Sequence, residues 1–233
     1  PTAHYSMGGV VVDPETHATQ EEGLFAAGEV SSGLHGGNRL GGNSLIETVV
    51  FGRRAGAAAA QHSDDLEYQI RNKKCMHAAH DELDATIGKG DYMARPMQRE
   101  IRNVLWNHCG VVRDEDKLQQ GLQKILEMKD VVSEIDVRPS SQGYQDLALA
   151  LDFNASVYTA ECTLLSALAR KESRGAHHRS DFQDTDPAQT VNFKTYLSEG
   201  KIRLTQQKVE QVSEDLLSYF DEEELSMQGR LLE

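Results

Sequence analysis

The sequence predicts an α+β fold that is mostly α, and three observations carry that prediction. Residues 23–56 (GLFAAGEVSSGLHGGNRLGGNSLIETVVFGRRAG) set five glycines, Gly33, Gly36, Gly37, Gly41 and Gly42, around a few polar side chains and run without a break into a helical pattern. Beyond Gln61 apolar residues recur at three- and four-residue spacing over long stretches, as in helices that bury one face. Short apolar runs with strand character are confined to the first part of the chain.

Taken in order, Gly9 to Val12 reads as a strand, followed by a turn at Asp13-Pro14-Glu15-Thr16 and a return toward Leu24. Leu24 to Ala27 reads as a short buried strand that ends at Gly28 and delivers the Glu29 carboxylate. The glycines of residues 33–42 tolerate positive φ and expose amide N–H groups, so the loop can lie close against a flat ligand, with Arg39, His35, Asn38 and Asn43 as its polar groups. Ser44 with Glu47 three residues on matches a capping box and predicts a helix start. Such a helix tip carries about half a positive charge and free donors, which favours negative charge in front of it.

A helix is predicted over Asp64–Ile87, and Pro96 opens the next one, with Met97, Ile101, Val104 and Leu105 as its buried stripe and Gly110 as its stop. Asp114–Ile135 repeats the pattern through Leu118, Leu122, Ile125, Leu126 and Val132. After the breaker at residues 138–141 a long helix is predicted over Tyr144–Lys171, with Phe153, Val157 and Leu164 facing inward, so that three or four helices form a bundle. Glu172, Arg174, His177, Arg179 and Asp181 then form a dense charged cluster that reads as a structural ion-pair network. Residues 206–233 hold eight acidic residues against Lys208 and Arg230, the pattern of a solvated face.

Composition excludes several classes. A net charge of −13 argues against nucleic-acid binding, which needs clustered Lys and Arg. No run of 18 apolar residues occurs, so no membrane span is predicted. Cys75, Cys109 and Cys162 are far apart and suggest a reducing compartment without a disulfide framework. Cys75, His77 and His80 lack the second paired group of a zinc site, so no metal is predicted.

Four segments carry a resemblance. HYSMGG at residues 4–9, GEVSSGLHGGNRLGGNSL at residues 28–45 and, far downstream, ESRGAHHRSDF at residues 172–182 resemble the succinate dehydrogenase and fumarate reductase flavoprotein family. LWNHCGVVRDEDKLQQGL resembles that family's helical domain, an antiparallel bundle. The resemblance implies FAD as cofactor, with Glu29 at its ribose or ribityl region and Ser44 and Leu45 at the isoalloxazine ring. It implies a dicarboxylate substrate, succinate or fumarate, held by His4 and Arg39, with Gly41 and Gly42 as further candidates. The fold then reads as the C-terminal remnant of an FAD-binding α/β domain over residues 1–61, an antiparallel helical bundle over 62–185 and an acidic extension over 186–233, where the family's aromatic strands are not recognisable. The family's GxGxxG motif, flavin-attaching His and proton-delivering Arg have no counterpart here, so the chain is expected to start inside a larger protein and to be inactive alone. The intact protein is expected in the cytoplasm, peripheral to a membrane through an iron–sulfur subunit. L-aspartate oxidase, which resembles NRMASNSL and ESRGLH where this chain has NRLGGNSL and ESRGAH, is the alternative within the superfamily. A helical docking module with a vestigial flavin segment is the alternative of another class.

Overall fold

The structure, a computed structural model, describes residues 4–67, 73–88, 90–138, 140–141, 143–210 and 212–221. The acidic residues 222–233 and the middle of the helix predicted over Asp64–Ile87 lie outside the described residues. The chain divides into two compact units, Pro1–Lys73 and Lys74–Glu233.

The first unit is a loop scaffold leading into one long helix, α1 (Asn43–Asp65). The two predicted strands are reduced to single bridges, Val10 with Ser31 and Ala18 with Phe25. Val10 bonds to Val30 and Ser32, and Leu24 and Ala26 bond to Thr19 and His17, two backbone bonds in each case, a ladder too short to extend into a strand. The Asp13 turn forms as predicted: Asp13 Oδ1 accepts the amides of Glu15 and Thr16 at 3.0 and 2.8 Å, and the Thr16 hydroxyl at 2.8 Å. Beyond it His17 is buried, its Nδ1 3.0 Å from the Ala26 carbonyl and its ring 4.7 Å from that of Phe51 on α1. Gly9 is required by close approach, because a Cβ there would sit 2.2 Å from the Val30 carbonyl oxygen.

The second unit begins with α2 (Lys73–Ala85), continues through β1 (Tyr92–Met93), α3 (Ala94–His108), β2 (Val112–Arg113), α4 (Glu115–Asp130), β3 (Ile135–Asp136) and α5 (Leu147–Ala169), and ends with β4 (His178–Arg179), the hairpin β5 (Val191–Ser198) and β6 (Lys201–Lys208), and the short α6 (Glu214–Leu217). Helices α3, α4 and α5 enclose one core. Ile101 and Val104 come from α3, Leu118, Ile125 and Met128 from α4, and Phe153, Val157, Ala160 and Leu164 from α5. The three- and four-residue steps read from the sequence are the steps that are buried. Helix α3 starts at Ala94, so Pro96 stands within the first turn, where its missing N–H has no helical acceptor to lose. Asp114 caps α4 by accepting the Lys117 amide at 2.9 Å.

Two parallel two-residue pairings lace the helix ends, β1 with β3 and β2 with β4. The eight-residue hairpin β5–β6 turns at Glu199 and Gly200, both at positive φ (50° and 73°), as a tight turn matched to strand twist requires. It occupies residues where an acidic extension was expected. Val191, Phe193 and Leu197 share one face with Ile202 and Leu204, an alternation that is a strand signal in itself and was masked by the acidic composition of the residues that follow. Arg170, just past α5, donates to the Gln189 and Val191 carbonyls at 3.1 and 2.7 Å and lies 4.7 Å from the Phe193 ring centroid, which fastens the hairpin to the bundle.

Candidate functional site

The site residues read from the sequence lie in the first unit, on the segment of residues 4–9, the glycine loop and the start of α1. Glu29 is exposed at the turn after Gly28, and its Oε1 accepts the Ser6 amide at 2.8 Å, tying the first segment to the loop. Arg39 is half-buried. Its Cζ stands 4.7 Å from the ring centroid of Tyr5, the residue next to His4, and its Nη1 donates to the Leu40 carbonyl at 3.1 Å. Its Nε is buried without a hydrogen-bond partner among the described residues. His4 is exposed. The structure thus places Arg39 against the segment that carries His4.

Helix α1 begins one residue earlier than predicted, at Asn43, and its N-cap is Gly42 in the left-handed region at φ 84°. No side chain caps it and its first turn holds no acid, so the tip presents bare donors. Gly41 and Gly42 have open space around the position a Cβ would take, and Leu45 is 77% exposed beside the half-buried Ser44. The predicted capping box does not form. Glu47 turns inward instead and is 3% exposed. Its Oε2 accepts the Tyr5 hydroxyl at 2.6 Å and lies 2.8 Å from His35 Nε2, which is also 3.1 Å from the Tyr5 oxygen. Two strong donors outcompete a solvent-exposed reach back to a helix amide.

This Tyr5–His35–Glu47 cluster is what sequence reasoning missed. The available signal was one carboxylate among the apolar residues of α1, at a position the capping pattern explained too readily. Burial pushes the Glu47 carboxyl up, but the hydrogen bonds from Tyr5 and His35 outweigh it and hold the group below its ordinary value. Burial and the Glu47 carboxylate push the Tyr5 phenol up to about 12, so it remains an O–H donor at neutral pH.

In the second unit the charged cluster is a network with defined partners. Glu172, fully buried, accepts from Arg170, from Arg174 Nε and Nη2 at 2.8 and 3.1 Å, and from the Asp186 amide at 2.8 Å. Burial pushes its carboxyl up, and those donors more than reverse the effect. Arg179, also fully buried, grips Asp181 with two bonds of 2.7 Å and donates to the Ala167 and Arg170 carbonyls at the end of α5. Asp181 accepts the Glu115 amide at the start of α4 at 2.9 Å. The pair therefore sets a cation on one helix C-terminus and an anion on another's N-terminus. His177 takes the Arg113 guanidinium at Nδ1 (2.9 Å) and faces the Arg170 carbonyl with Nε2 (3.2 Å), an arrangement that only the neutral ring satisfies; burial and Arg113 bring its pKa down to about 4. Among the described residues no group of three or more His, Cys, Asp or Glu is placed to hold a metal, and no helix is long and apolar enough to cross a membrane.

Residues 98–220 match the family model described as fumarate reductase flavoprotein C-term, and residues 1–45 match the FAD binding domain model. The fumarate reductase flavoprotein subunit of Haemophilus influenzae is 38% identical over 193 residues, covering 80% of this chain and 32% of that protein. The fumarate reductase flavoprotein subunit of Escherichia coli is 36% identical over 201 residues, covering 83% of this chain and 33% of that protein. The solved structure of Mycobacterium smegmatis Sdh1 in complex with UQ1 superimposes with a TM-score of 0.84 at 32% identity, covering 96% of this chain and 39% of that one. The chain spans about a third of the length of the curated relatives it matches. The match over residues 98–220 and the identity to these relatives place the chain in the succinate dehydrogenase and fumarate reductase flavoprotein family.

Proposed function

We propose that this chain is the C-terminal part of an FAD-dependent oxidoreductase subunit that interconverts succinate and fumarate, with Arg39 and His4 holding the dicarboxylate. The observation that carries the reading is Arg39. It is half-buried in a glycine-lined loop, no carboxylate pairs with it among the described residues, and its Nε lacks a partner there. A guanidinium so placed is suited to a carboxylate supplied by a ligand, which it binds through two parallel N–H donors.

The residues present also suit a flavin. The uncapped tip of α1 offers free N–H donors and no acid in its first turn, which favours an anionic edge, and Ser44 and Leu45 stand at that tip; Glu29 would reach the ribose or ribityl chain. FAD, when bound, supplies the hydride chemistry. The chain's own contribution is to orient one carboxylate on Arg39 and the other near His4, with Gly41 and Gly42 allowing close backbone approach, and to stabilise negative charge at the helix tip. In this reading residues 1–61 complete the flavin-binding domain, the proton donor comes from a part of the protein outside these residues, and electrons pass to an iron–sulfur subunit on the membrane surface.

The test is steady-state turnover by the full-length flavoprotein, with succinate and an artificial acceptor in one direction and fumarate and a reduced dye in the other. Arg39→Ala is expected to lower kcat/KM by at least about a hundredfold, the loss of a charge-assisted bidentate contact. Unchanged kcat/KM, or turnover of aspartate with oxygen in place of succinate, overturns the reading. Turnover by the 233-residue chain alone overturns its expected inactivity.

A further inference from the structure

We propose that Tyr5 is the platform that positions Arg39, and that Glu47 and His35 lock the platform in place. The proposal rests on the dicarboxylate reading above and adds three residues that reading does not use. A cation kept free of carboxylates still has to be held, and the aromatic face of Tyr5, 4.7 Å from Arg39 Cζ, is within the range at which a ring attracts a guanidinium. A ring holds the charge without neutralising it, so the outer N–H groups stay available to an incoming carboxylate.

The ring is itself fixed at its far end. Its hydroxyl donates to Glu47 at 2.6 Å, its edge meets the His35 ring at 5.3 Å and 82°, and His35 Nε2 bonds the same Glu47 oxygen at 2.8 Å. These groups come from three stretches: Tyr5 from the first segment, His35 and Arg39 from the glycine loop, and Glu47 from the second turn of α1. Glu47 is 3% exposed and Arg39 half-buried, so the cluster is braced from beneath. One ionised oxygen accepting from both Tyr5 and His35 is a role for which glutamine is a poor substitute, since half of its head group donates. Tyr5, His35 and Glu47 are accordingly positioning residues, acting through Arg39 and not on the substrate.

The test compares Tyr5→Phe, Tyr5→Leu, Glu47→Gln and Arg39→Ala in the full-length flavoprotein with FAD bound, reading KM for succinate, kcat, and the Kd of malonate from the perturbation of flavin absorbance. Tyr5→Leu removes the ring and is expected to raise KM and the malonate Kd about tenfold with kcat changed less than KM. Tyr5→Phe keeps the ring but releases it from Glu47, so it and Glu47→Gln are expected to fall between the parent and Tyr5→Leu, and parent values in both refute the lock. Equal KM and Kd in Tyr5→Phe and Tyr5→Leu, or a loss confined to kcat, overturns the proposal. If Tyr5→Leu does not accumulate with flavin, Tyr5→Met, which keeps the bulk without the π face, takes its place under the same criteria. Arg39→Ala separates the two claims: if it leaves KM and Kd unchanged, the dicarboxylate reading has failed, and if it alone weakens binding, the platform has.

Discussion

Replacing Arg179 with methionine tests the physical account of the second unit most directly. Methionine keeps much of the aliphatic volume and removes the guanidinium, which is fully buried and makes two 2.7 Å bonds to Asp181 and one of 3.0 Å to the Ala167 carbonyl. The substitution leaves Asp181 holding only the Glu115 amide among the contacts described above, and it strips a donor from the C-terminus of α5. Arg179 is buried but Asp181 is solvent-accessible, so water can take up the carboxylate left behind and the cost is that of the lost charge-assisted bonds, about 1.5–3 kcal/mol. For a chain of this size each kcal/mol shifts Tm by roughly 2–4 °C, so a drop of about 3–12 °C is expected. Tm is read from the far-ultraviolet circular dichroism of the helices, because Trp106, the single tryptophan, is 59% exposed already in the folded chain. Arg179→Lys is expected to recover less than half of the loss, since an ammonium cannot make the two-pronged grip. A Tm within about 2 °C of the parent for Arg179→Met, or full recovery by lysine, refutes the claim that this pair ties α4 to α5.

Other substitutions probe single terms. In Gly121→Ala the new Cβ would lie 2.7 Å from His108 Cβ and 3.1 Å from Leu164 Cδ2, so overpacking of about 1–3 kcal/mol outweighs the helix propensity gained, and Tm is expected to fall. Gly52→Ala, on α1 with open space at its Cβ, is expected to stabilise by about 0.5–1 kcal/mol in the same melt. Asp114→Ala removes the α4 cap and is expected to cost about 0.5–2 kcal/mol by urea titration with an unchanged m-value. The pH dependence has a definite sign. His177 titrates near 4 when folded and near 6.5 when unfolded, so only the unfolded chain binds its proton in between, and stability should decline as pH falls through that window, by on the order of 1–2 kcal/mol after solvent screening. Glu172 and Asp181 are depressed, so their stabilisation is complete above their unfolded values near 4 and is lost as pH falls below them. His177→Gln should flatten the upper part of that profile; a profile flat between pH 6.5 and 4 in the parent contradicts the neutral assignment.

Much of the helical architecture was legible because burial imposes a period. Ile101, Val104, Leu118, Ile125, Phe153 and Leu164 stand at helix spacing in the sequence and in the core alike. The turn at Asp13 was legible because one carboxylate organises it alone, whereas the cap read at Ser44 did not form. Motif spacing likewise brought Glu29, Arg39, Ser44 and Leu45 forward as a group. The strands were not legible in the same way. Gly9–Val12 has strand composition without a ladder, whereas Val191–Ser198 has both, and which of the two runs pairs depends on a partner that the run itself does not contain.

Glu47 shows the same division at one residue. Its place three positions after Ser44 is local information, and local information suggested a cap. Its burial beneath Tyr5 and His35 depends on residues 42 and 12 positions away, so no window along the chain contained the answer. The order of residues was enough to set the helical periods, the turn residues and the chemical kinds of group gathered at the site. Which carboxylates are buried, which cations are already paired and which, like Arg39, are held against a ring was settled only on folding, because desolvation and ion pairing act between groups that the folded chain alone brings within a few ångströms.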